Sequence, residues 1–330
     1  QGHRRSLSKW APTPGRKHDK RTLIVDGIVE RLYPAARHRL PEGTHEEYLS
    51  FMRDRYRKLL SCLRGASEVP EHFVGGGQWH SVNYRRMASR CRQLHGHVFA
   101  KHDRERYEAH MEAVRAGRER GLAAGAVLPH ELVGKAEKCG HLGDGVGVTE
   151  ACLQWQSLVG DTRAAGKLPS AMSVCDVSGS MSGRPMDVAV ALSLLLSDVA
   201  EEPWRGKVCT FSASPRFVEV PAATGDNLAE RARLLQGMDW GFNTDLMKVF
   251  DQMLAMAKLF EVPAERMPQM LFIFSDMEFD EAYKGCWRTD LQSIRERYAA
   301  VGYDVPRVVF WNLRPSRSHP AAFDEPGVAM

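Results

Sequence analysis

The sequence lacks the features that mark secreted and membrane proteins. Its seven cysteines are scattered, and no two of them form a Cys-x-x-Cys pair, which argues against a disulfide framework or a zinc ribbon and favours a reducing, cytoplasmic environment. The longest mostly apolar run, residues 188–196, is about half of the roughly 20 residues that a membrane helix needs. The N-terminus is polar and basic with no apolar stretch after it, so we expect no signal peptide.

Acidic charge is scarce in the first half of the chain, and histidine is scarce in the second. Residues 1–150 carry 27 basic and 18 acidic side chains, a balance of +9, whereas residues 151–330 carry 18 and 23, a balance of −5. Only His319 of the 13 histidines lies in the second half. Hydrophobic residues make up 43% of the chain and charged residues 26%, as in ordinary globular proteins. The length and this asymmetry predict about two domains with different roles.

The first half is predicted to be helical. After a potential N-cap at Thr44, apolar residues recur at spacings of three and four, which is typical of an amphipathic helix over 44–64. The same pattern predicts helices at 83–100 and 102–118, and residues 75–77 are a glycine breaker. We expect an α-helical domain over residues 1–140 and a linker with a connecting helix over 141–166. The glycine-rich stretch 134–149 is typical of a linker between domains.

Basic residues crowd these helices and could bind the phosphates of RNA, with Trp79 and Tyr84 available for base stacking. The alternative is that they are solvated helix faces, partly paired with Glu105, Glu108 and Glu112. We do not expect a metal site at four further side chains, because their spacing fits no standard zinc pattern: Cys91, His95, His97 and His102.

The second half alternates apolar strands with helices. Strands are predicted at 171–175, 206–212, 217–220, 270–275 and 305–312, and helices at 187–199, 227–236, 244–260 and 289–301. This order predicts a doubly wound, mostly parallel α/β sheet with helices on both faces, over residues 167–330. Ligands of such sheets bind beyond the carboxyl ends of the strands. Asp176 and Asp276 follow two of these strands, so we expect the functional site there.

The loop after the first strand carries an acid followed by hydroxyls at alternate positions, Asp176, Ser178 and Ser180. One carboxylate and two neutral oxygens on one side of a tight turn suit a hard divalent cation, and Mg²⁺ takes about six oxygen ligands. Thr244 can add a third hydroxyl from a glycine-containing loop, and Asp276 can complete the set directly or through water. Hydroxyl ligands leave the cation's charge under-neutralised, so a partner's carboxylate could fill a remaining position.

This ordered pattern resembles the metal-ion-dependent adhesion site (MIDAS) of von Willebrand factor A (vWA) domains. The resemblance covers about residues 167–330. It implies a vWA-like, Rossmann-like fold and a bound Mg²⁺ or Mn²⁺. Ser275-Asp276-Met277 stands where many members have Thr-Asp-Gly, and Asn243 precedes the threonine. The implied metal ligands are Asp176, Ser178, Ser180, Thr244 and Asp276.

Longer stretches resemble an uncharacterised group of cytosolic proteins in which a helical domain precedes the vWA-like domain. That arrangement is similar to the Ro-type RNA-binding proteins with their TROVE module, and it implies RNA binding by the helical part. The stretches that carry this second resemblance are residues 9–12, 79–84, 201–204, 238–240, 274–280 and 310–314.

Other interpretations of this motif fit the sequence less well. An aspartyl-nucleophile phosphatase needs an acid two residues after the first, where Ser178 stands, and a serine hydrolase needs a histidine base, for which the second half offers only His319. The Gly-x-Ser-x-Gly elbow and the Walker phosphate loop are absent. A simple helix cap could account for Asp176 and Ser178, but it explains neither Thr244 nor Asp276. Four further acids could form a rim that tunes the site or be ordinary loop carboxylates: Asp239, Asp245, Glu278 and Asp280.

We therefore predict a non-enzymatic, cytoplasmic protein whose vWA-like domain captures an acidic group of a protein or peptide partner through the metal, with RNA binding by the basic helical domain. The main alternative is a protein–protein scaffold without RNA binding. A metal-dependent phosphohydrolase is a more distant one.

Overall fold

The computed structural model describes residues 8–38, 43–166, 171–212, 214–238, 246–276, 287–314 and 328–329. They fall into two compact units. One comprises residues up to 87 together with 98–107, and the other comprises 88–97 and residues from 108 onward. None of the helices in the described ranges combines the length and the apolar character that crossing a membrane requires.

The N-terminal region is helical, as predicted. The helix expected at 44–64 is confirmed: Thr44 and Glu47 form a reciprocal capping box at its start, and Tyr48, Met52 and Tyr56 bury its apolar stripe against Val25. Its elements are α1 (Lys17–Thr22), α2 (Ile24–Leu32), α3 (Ala35–His38), α4 (His45–Ala66), α5 (Pro70–Gly75), α6 (Ser89–His102) and α7 (Arg104–Arg115).

The helix predicted at 83–100 begins later than expected. Two 3₁₀ turns, Trp79–Ser81 and Tyr84–Arg86, precede α6 at Ser89. The buried Tyr84 ring packs against Phe99 and Tyr107, with ring centroids 5.5 and 5.0 Å apart, and the Tyr84 hydroxyl donates to the Asp103 carboxylate at 2.7 Å. These tertiary contacts override the local periodicity.

The glycine-rich stretch 134–149 is not a flexible linker. Helix α8 (Pro129–His141) and helix α9 (Gly145–Ala164) occupy most of it. Both helices contribute to the core beneath the sheet, through Leu132 and Val133 of α8 and Trp155 of α9. Residues 134–149 thus lie in the second compact unit, whereas the sequence predicts that the helical domain ends at residue 140. Burial of the apolar faces outweighs the helix-weakening effect of the glycines.

The second half forms the predicted α/β sheet. Its strand order is β3-β2-β1-β4-β5-β6, and every neighbouring pair is parallel except β2 and β3. The order reverses between β1 and β4, which is the point where ligands of doubly wound sheets bind. The elements are β1 (Ala171–Cys175), α10 (Arg184–Val199), β2 (Lys207–Thr210), β3 (Phe217–Glu219), α11 (Leu228–Gln236), α12 (Leu246–Leu259), β4 (Met270–Ser275), α13 (Trp287–Ala299), β5 (Arg307–Asn312) and β6 (Val328–Ala329).

Helices cover both faces of this sheet. Alternate residues of β4 point to opposite sides: Phe272 and Phe274 join the core formed with α8–α11, whereas Leu271 and Ile273 join the core formed with α12 and α13. Because both faces are buried, the central strands are continuously apolar, which is why the sequence pattern identified them. Asp176 and Asp276 therefore follow central strands of a sheet that is buried on both faces.

Candidate metal centre

Asp176 and Asp276 follow the two central strands of the sheet. The Asp176 amide donates to the Phe274 carbonyl at 3.1 Å, so the pairing of β1 with β4 continues one residue beyond β1. Each aspartate is only 2% exposed. The sheet thus places two carboxyl groups at neighbouring strand ends, as the sequence predicted.

The Asp176 carboxylate is fixed by two hydrogen bonds. Its Oδ1 accepts from the Ser178 amide at 2.9 Å, and its Oδ2 accepts from the Ser275 hydroxyl at 2.7 Å. Burial raises the pKa of Asp176 above its ordinary value, the bonds from Ser275 and Ser178 oppose that rise, and the charge of Asp276 adds to it. The site is therefore one where negative charge is costly and a cation would be stabilising.

The loop after β1 is anchored so that its hydroxyls lie side by side. Val177 and Met181 are 4% and 0% exposed and pack into the core, with a 3₁₀ turn at Gly179–Met181. Ser178 Oγ and Ser180 Oγ are 3.0 Å apart. Because buried apolar residues alternate with serines along this loop, the two serine hydroxyls lie on the same side of it, as the Asp-x-Ser-x-Ser spacing predicts.

A glycine completes the turn into α10. Gly183 has a φ of +84°, a conformation that L side chains rarely adopt, and α10 begins at the next residue. Arg314, which follows β5, lies beside this turn with Nη2 3.4 Å from the Ser182 carbonyl oxygen. An exposed guanidinium therefore stands at the loop that carries the hydroxyls.

The structure brings together Asp176, Ser178 and Ser180, and it places Asp276 close enough for its charge to affect Asp176. Thr244 lies outside the described residues, as do the four acids considered for a rim. Ser275 was not predicted as part of the site. Its contact follows from the register of β1 and β4, and the only sequence signal was a hydroxyl residue at the end of a central strand.

The donor set fits a hard divalent cation. It offers carboxylate and hydroxyl oxygens, which Mg²⁺ and Mn²⁺ accept, and within the described residues Asp176 forms no ion pair with lysine or arginine. No three His, Cys, Asp or Glu side chains in the described ranges are grouped as for a metal. Cys91, His95, His97 and His102 are among the side chains that form no such group. The centre at Asp176 would rely on hydroxyls for its remaining ligands.

Many of the basic residues on the N-terminal helices have carboxylate partners. Pairs form within each compact unit, between Arg53 and Asp26, Arg57 and Asp54, Arg86 and Glu68, Arg90 and Glu131, and Arg106 and Asp103. Arg92 is 1% exposed and lies away from solvent. Two of these pairs, Arg57 with Asp54 and Arg106 with Asp103, have a spacing of three residues, and the other three join residues distant in sequence. Much of the basic charge is therefore paired within the fold.

Fold and site together define a protein in which a helical N-terminal region precedes a mostly parallel α/β sheet with a polar centre at its switch point. Residues 4–168 match the family model described as domain of unknown function DUF2828, and residues 170–330 match the one described as domain of unknown function DUF7788. Since the first match spans half of the chain, the protein belongs to the DUF2828 family.

The chain is also similar to the uncharacterized protein L728 of Acanthamoeba polyphaga mimivirus. The two are 26% identical over 325 residues, which are 94% of this chain and 52% of the viral protein. The chain thus spans about half the length of this curated relative.

Proposed function

We propose that the protein is a non-enzymatic, cytoplasmic binding protein whose second half is a vWA-like domain that holds Mg²⁺ or Mn²⁺ and captures an acidic group of a protein partner. The metal ligands would be Asp176, Ser178, Ser180, Thr244 and Asp276. The observation that carries the proposal is the buried Asp176 carboxylate, oriented by Ser275 and Ser178 toward a loop whose two hydroxyls are 3.0 Å apart.

The position of the centre supports this proposal. A strand order of 3-2-1-4-5-6 with an antiparallel edge strand accords with the resemblance to vWA domains, and the centre lies where doubly wound sheets bind their ligands. Asp176 and Asp276 follow β1 and β4, the two strands that flank this switch point, so both carboxylates would serve the same ligand.

The charge of the centre supports an acidic partner. The five proposed ligands would leave about one of the six coordination positions of Mg²⁺ open, and the metal would attract another anionic oxygen there when bound. Arg314 beside Ser182 adds positive charge at the same loop. A partner's aspartate or glutamate would meet both.

Metal binding is tested by following thermal unfolding while Mg²⁺ or Mn²⁺ is titrated into the protein. A ligand of the native state at about 100 times its Kd adds roughly 2.7 kcal/mol to the free energy of unfolding. We expect this gain in the wild type and its loss in Asp176→Ala. Asp251→Ala is the matched control, because Asp251 is an aspartate on the surface whose side chain is 47% exposed. An equal response in all three proteins would refute the site.

Partner capture is tested by pull-down with the wild type and with Asp176→Ala, each with Mg²⁺ and with a chelator. Proteins retained only by the wild type in Mg²⁺ are those that the centre captures. A phosphohydrolase, the distant alternative, would instead show metal-dependent turnover of a generic phosphoester that Asp176→Ala abolishes.

RNA binding by the helical region is the second candidate function. The feature that favours it is the stack of Trp79 on His102, with ring centroids 4.6 Å apart and planes 6° from parallel, next to Arg106, which donates to the Trp79 carbonyl. The ion pairs described above favour the scaffold alternative. Phosphate contacts would make binding of a single-stranded RNA fall steeply with salt, so absence of binding at low salt would leave the scaffold.

A further inference from the structure

Arg314 is held at the carboxyl edge of the sheet by its backbone. Leu313 donates its amide to the Ser275 carbonyl at 3.0 Å, so the pairing of β5 with β4 continues to the residue before Arg314. The Arg314 amide in turn donates to Oδ1 of Asn312 at 2.9 Å. These two hydrogen bonds fix the point from which the Arg314 side chain starts.

The side chain of Arg314 extends from β5 to the loop that follows β1. Its Nη2 lies 3.4 Å from the Ser182 carbonyl oxygen in that loop, and β4 stands between β5 and β1 in the sheet. Strands separated by one other strand are about 10 Å apart, so the side chain crosses the edge of the sheet where β4 ends and Asp276 follows. The guanidinium therefore lies at the rim of the candidate metal centre, on the loop that carries Ser178 and Ser180.

The guanidinium of Arg314 keeps most of its hydrogen-bonding capacity. The side chain is exposed, its contact with Ser182 is long, and no carboxylate within the described residues pairs with it. A guanidinium has five N–H donors and can bind a carboxylate through two of them. Arg314 differs in this respect from Arg297, whose Nη1 donates to both oxygens of Asp251.

A second arginine stands at the same end of the loop. Arg184 is the first residue of α10, two residues after Ser182, and its side chain is exposed. Asp187, one turn further along α10, has the spacing of a helical ion pair with Arg184, yet in the part of the chain that the structure describes Arg184 forms no ion pair. Positive charge is thus concentrated where the loop leaves the centre, without a carboxylate paired to it.

We propose that the partner segment carries two acidic side chains, one for the metal and one for Arg314, with Arg184 adding positive charge beside the second. The proposal rests on the proposed function, because the first acid would take the open coordination position of the cation. The charge of Arg314 attracts that acid, whereas its N–H donors remain available for another one.

The two acids would be close together in the sequence of the partner. Ser180 and Ser182 are two residues apart, and two residues of chain span at most about 7 Å. Alternate residues of an extended peptide are separated by a similar distance, about 7 Å. An extended segment could therefore present one acid at the hydroxyls of the centre and the other at the guanidinium of Arg314.

The test selects random displayed nonapeptides on the full chain in Mg²⁺ and recovers those that a chelator releases. Parallel selections use Arg314→Glu and, as the matched control, Arg307→Glu. Arg307 is an exposed arginine at the opposite end of β5 and has no ion-pair partner among the described residues. We expect two nearby acids in peptides recovered on the wild type and on Arg307→Glu. On Arg314→Glu, one acid should be kept and Lys or Arg should replace the other.

An enriched peptide is then synthesised, and its Kd is measured by fluorescence polarisation. We expect Arg314→Glu to weaken binding about tenfold or more, while Mg²⁺ still raises the thermal stability of this variant. Gln in place of the second acid should weaken binding to the wild type by a similar factor and should change binding to Arg314→Ala little. A peptide with Lys at that position should bind Arg314→Glu more tightly than the two-acid peptide does.

Recovery of single-acid peptides on all three proteins would overturn this proposal and leave the capture of one acid intact. Equal enrichment of the second acid on the wild type and on Arg314→Glu would also overturn it. If a chelator releases no peptide from any of the proteins, the capture proposed above fails and this inference fails with it. The Mg²⁺ titration of the wild type and Asp176→Ala then separates loss of capture from loss of the metal site.

Discussion

The hydroxyl of Ser275 donates a hydrogen bond of 2.7 Å to Oδ2 of Asp176, joining the ends of the two central strands. Both residues are buried, at 1% and 2% exposure. This hydrogen bond lowers the pKa of Asp176 and so opposes the increase that burial causes. It also fixes the rotation of the carboxylate. Ser275 is therefore a positioning residue: it would act on a bound cation through Asp176.

Replacing Ser275 by alanine should weaken Mg²⁺ binding. A hydrogen bond to a charged group contributes about 1.5–3 kcal/mol, so we expect the Kd for Mg²⁺, measured by calorimetry, to rise about tenfold or more. Ser275→Thr keeps the hydroxyl and should restore most of the affinity. Ser173→Ala is the control, because Ser173 is a buried serine of β1 whose Oγ has no hydrogen-bond partner among the described residues. Equal losses in Ser275→Ala and Ser173→Ala would contradict this role.

Glu137 should make the stability of the second unit depend on pH. Burial raises the pKa of Glu137 above 4.5, and the charge of Asp187 adds to that rise against the hydrogen bond from Gln236. The native state thus holds the proton more tightly than the unfolded state, so stability falls as pH rises through the native pKa. We expect Glu137→Gln to be more stable than the wild type at neutral pH, by less than about 1 kcal/mol because solvent partly screens the group.

This difference is measured by thermal unfolding from about pH 4 to pH 8. It should shrink toward the acid end, where Glu137 is protonated in both states. Glu112→Gln, which alters an exposed glutamate of α7, should show no comparable trend. A stability difference between Glu137→Gln and the wild type that grows as the pH falls would contradict a raised pKa of Glu137.

The buried carboxylate of Asp198 should matter far more for stability than the exposed one of Asp251. Asp198 accepts from Arg231 and, at 2.7 Å, from the Trp155 indole, and the Arg231 side chain is 1% exposed. Asp198→Ala would leave a buried guanidinium without its counter-charge, at a cost of about 3–5 kcal/mol.

Asp251→Ala provides the comparison, because its pair with Arg297 is nearly half exposed on both sides. Such pairs contribute less than about 1 kcal/mol. Urea unfolding of the two variants measures both costs. A similar loss of unfolding free energy in both variants would show that Arg231 pairs with another residue or with water when Asp198 is removed.

The sequence was most informative where burial is uniform. Strands such as β1 and β4 are covered on both faces, so their sequences are continuous apolar runs. Asp176 and Asp276 could be identified because each follows directly after such a run. It was least informative at 134–149, where glycines suggested a linker. The helices that contain this stretch are stabilised by burial of Ala136 within it and of Leu132 and Trp155 on either side of it, which the glycine content does not show.

Contacts between residues that are far apart in the sequence also could not be predicted. Ser275 reaches Asp176 only because β1 and β4 are neighbours in this register, and the partner of Arg53 is Asp26 on another helix rather than an acid one turn away. Helical spacing predicts pairs within a helix, such as Arg57 with Asp54, but it does not predict the pairs that tertiary packing forms between helices.

Thr244 is the remaining ligand in the proposed set, and a replacement of equal shape can test it. Thr244→Val removes the hydroxyl and keeps the volume, so a ligand role predicts a higher Kd for Mg²⁺ with little change in stability of the metal-free protein. Thr244→Ser keeps the hydroxyl and should bind nearly as the wild type does. Thr162→Val is the control, since that hydroxyl donates to the Leu158 carbonyl within α9. If Thr244→Val binds Mg²⁺ unchanged, the centre is completed without Thr244, and the resemblance to the MIDAS fails at that position.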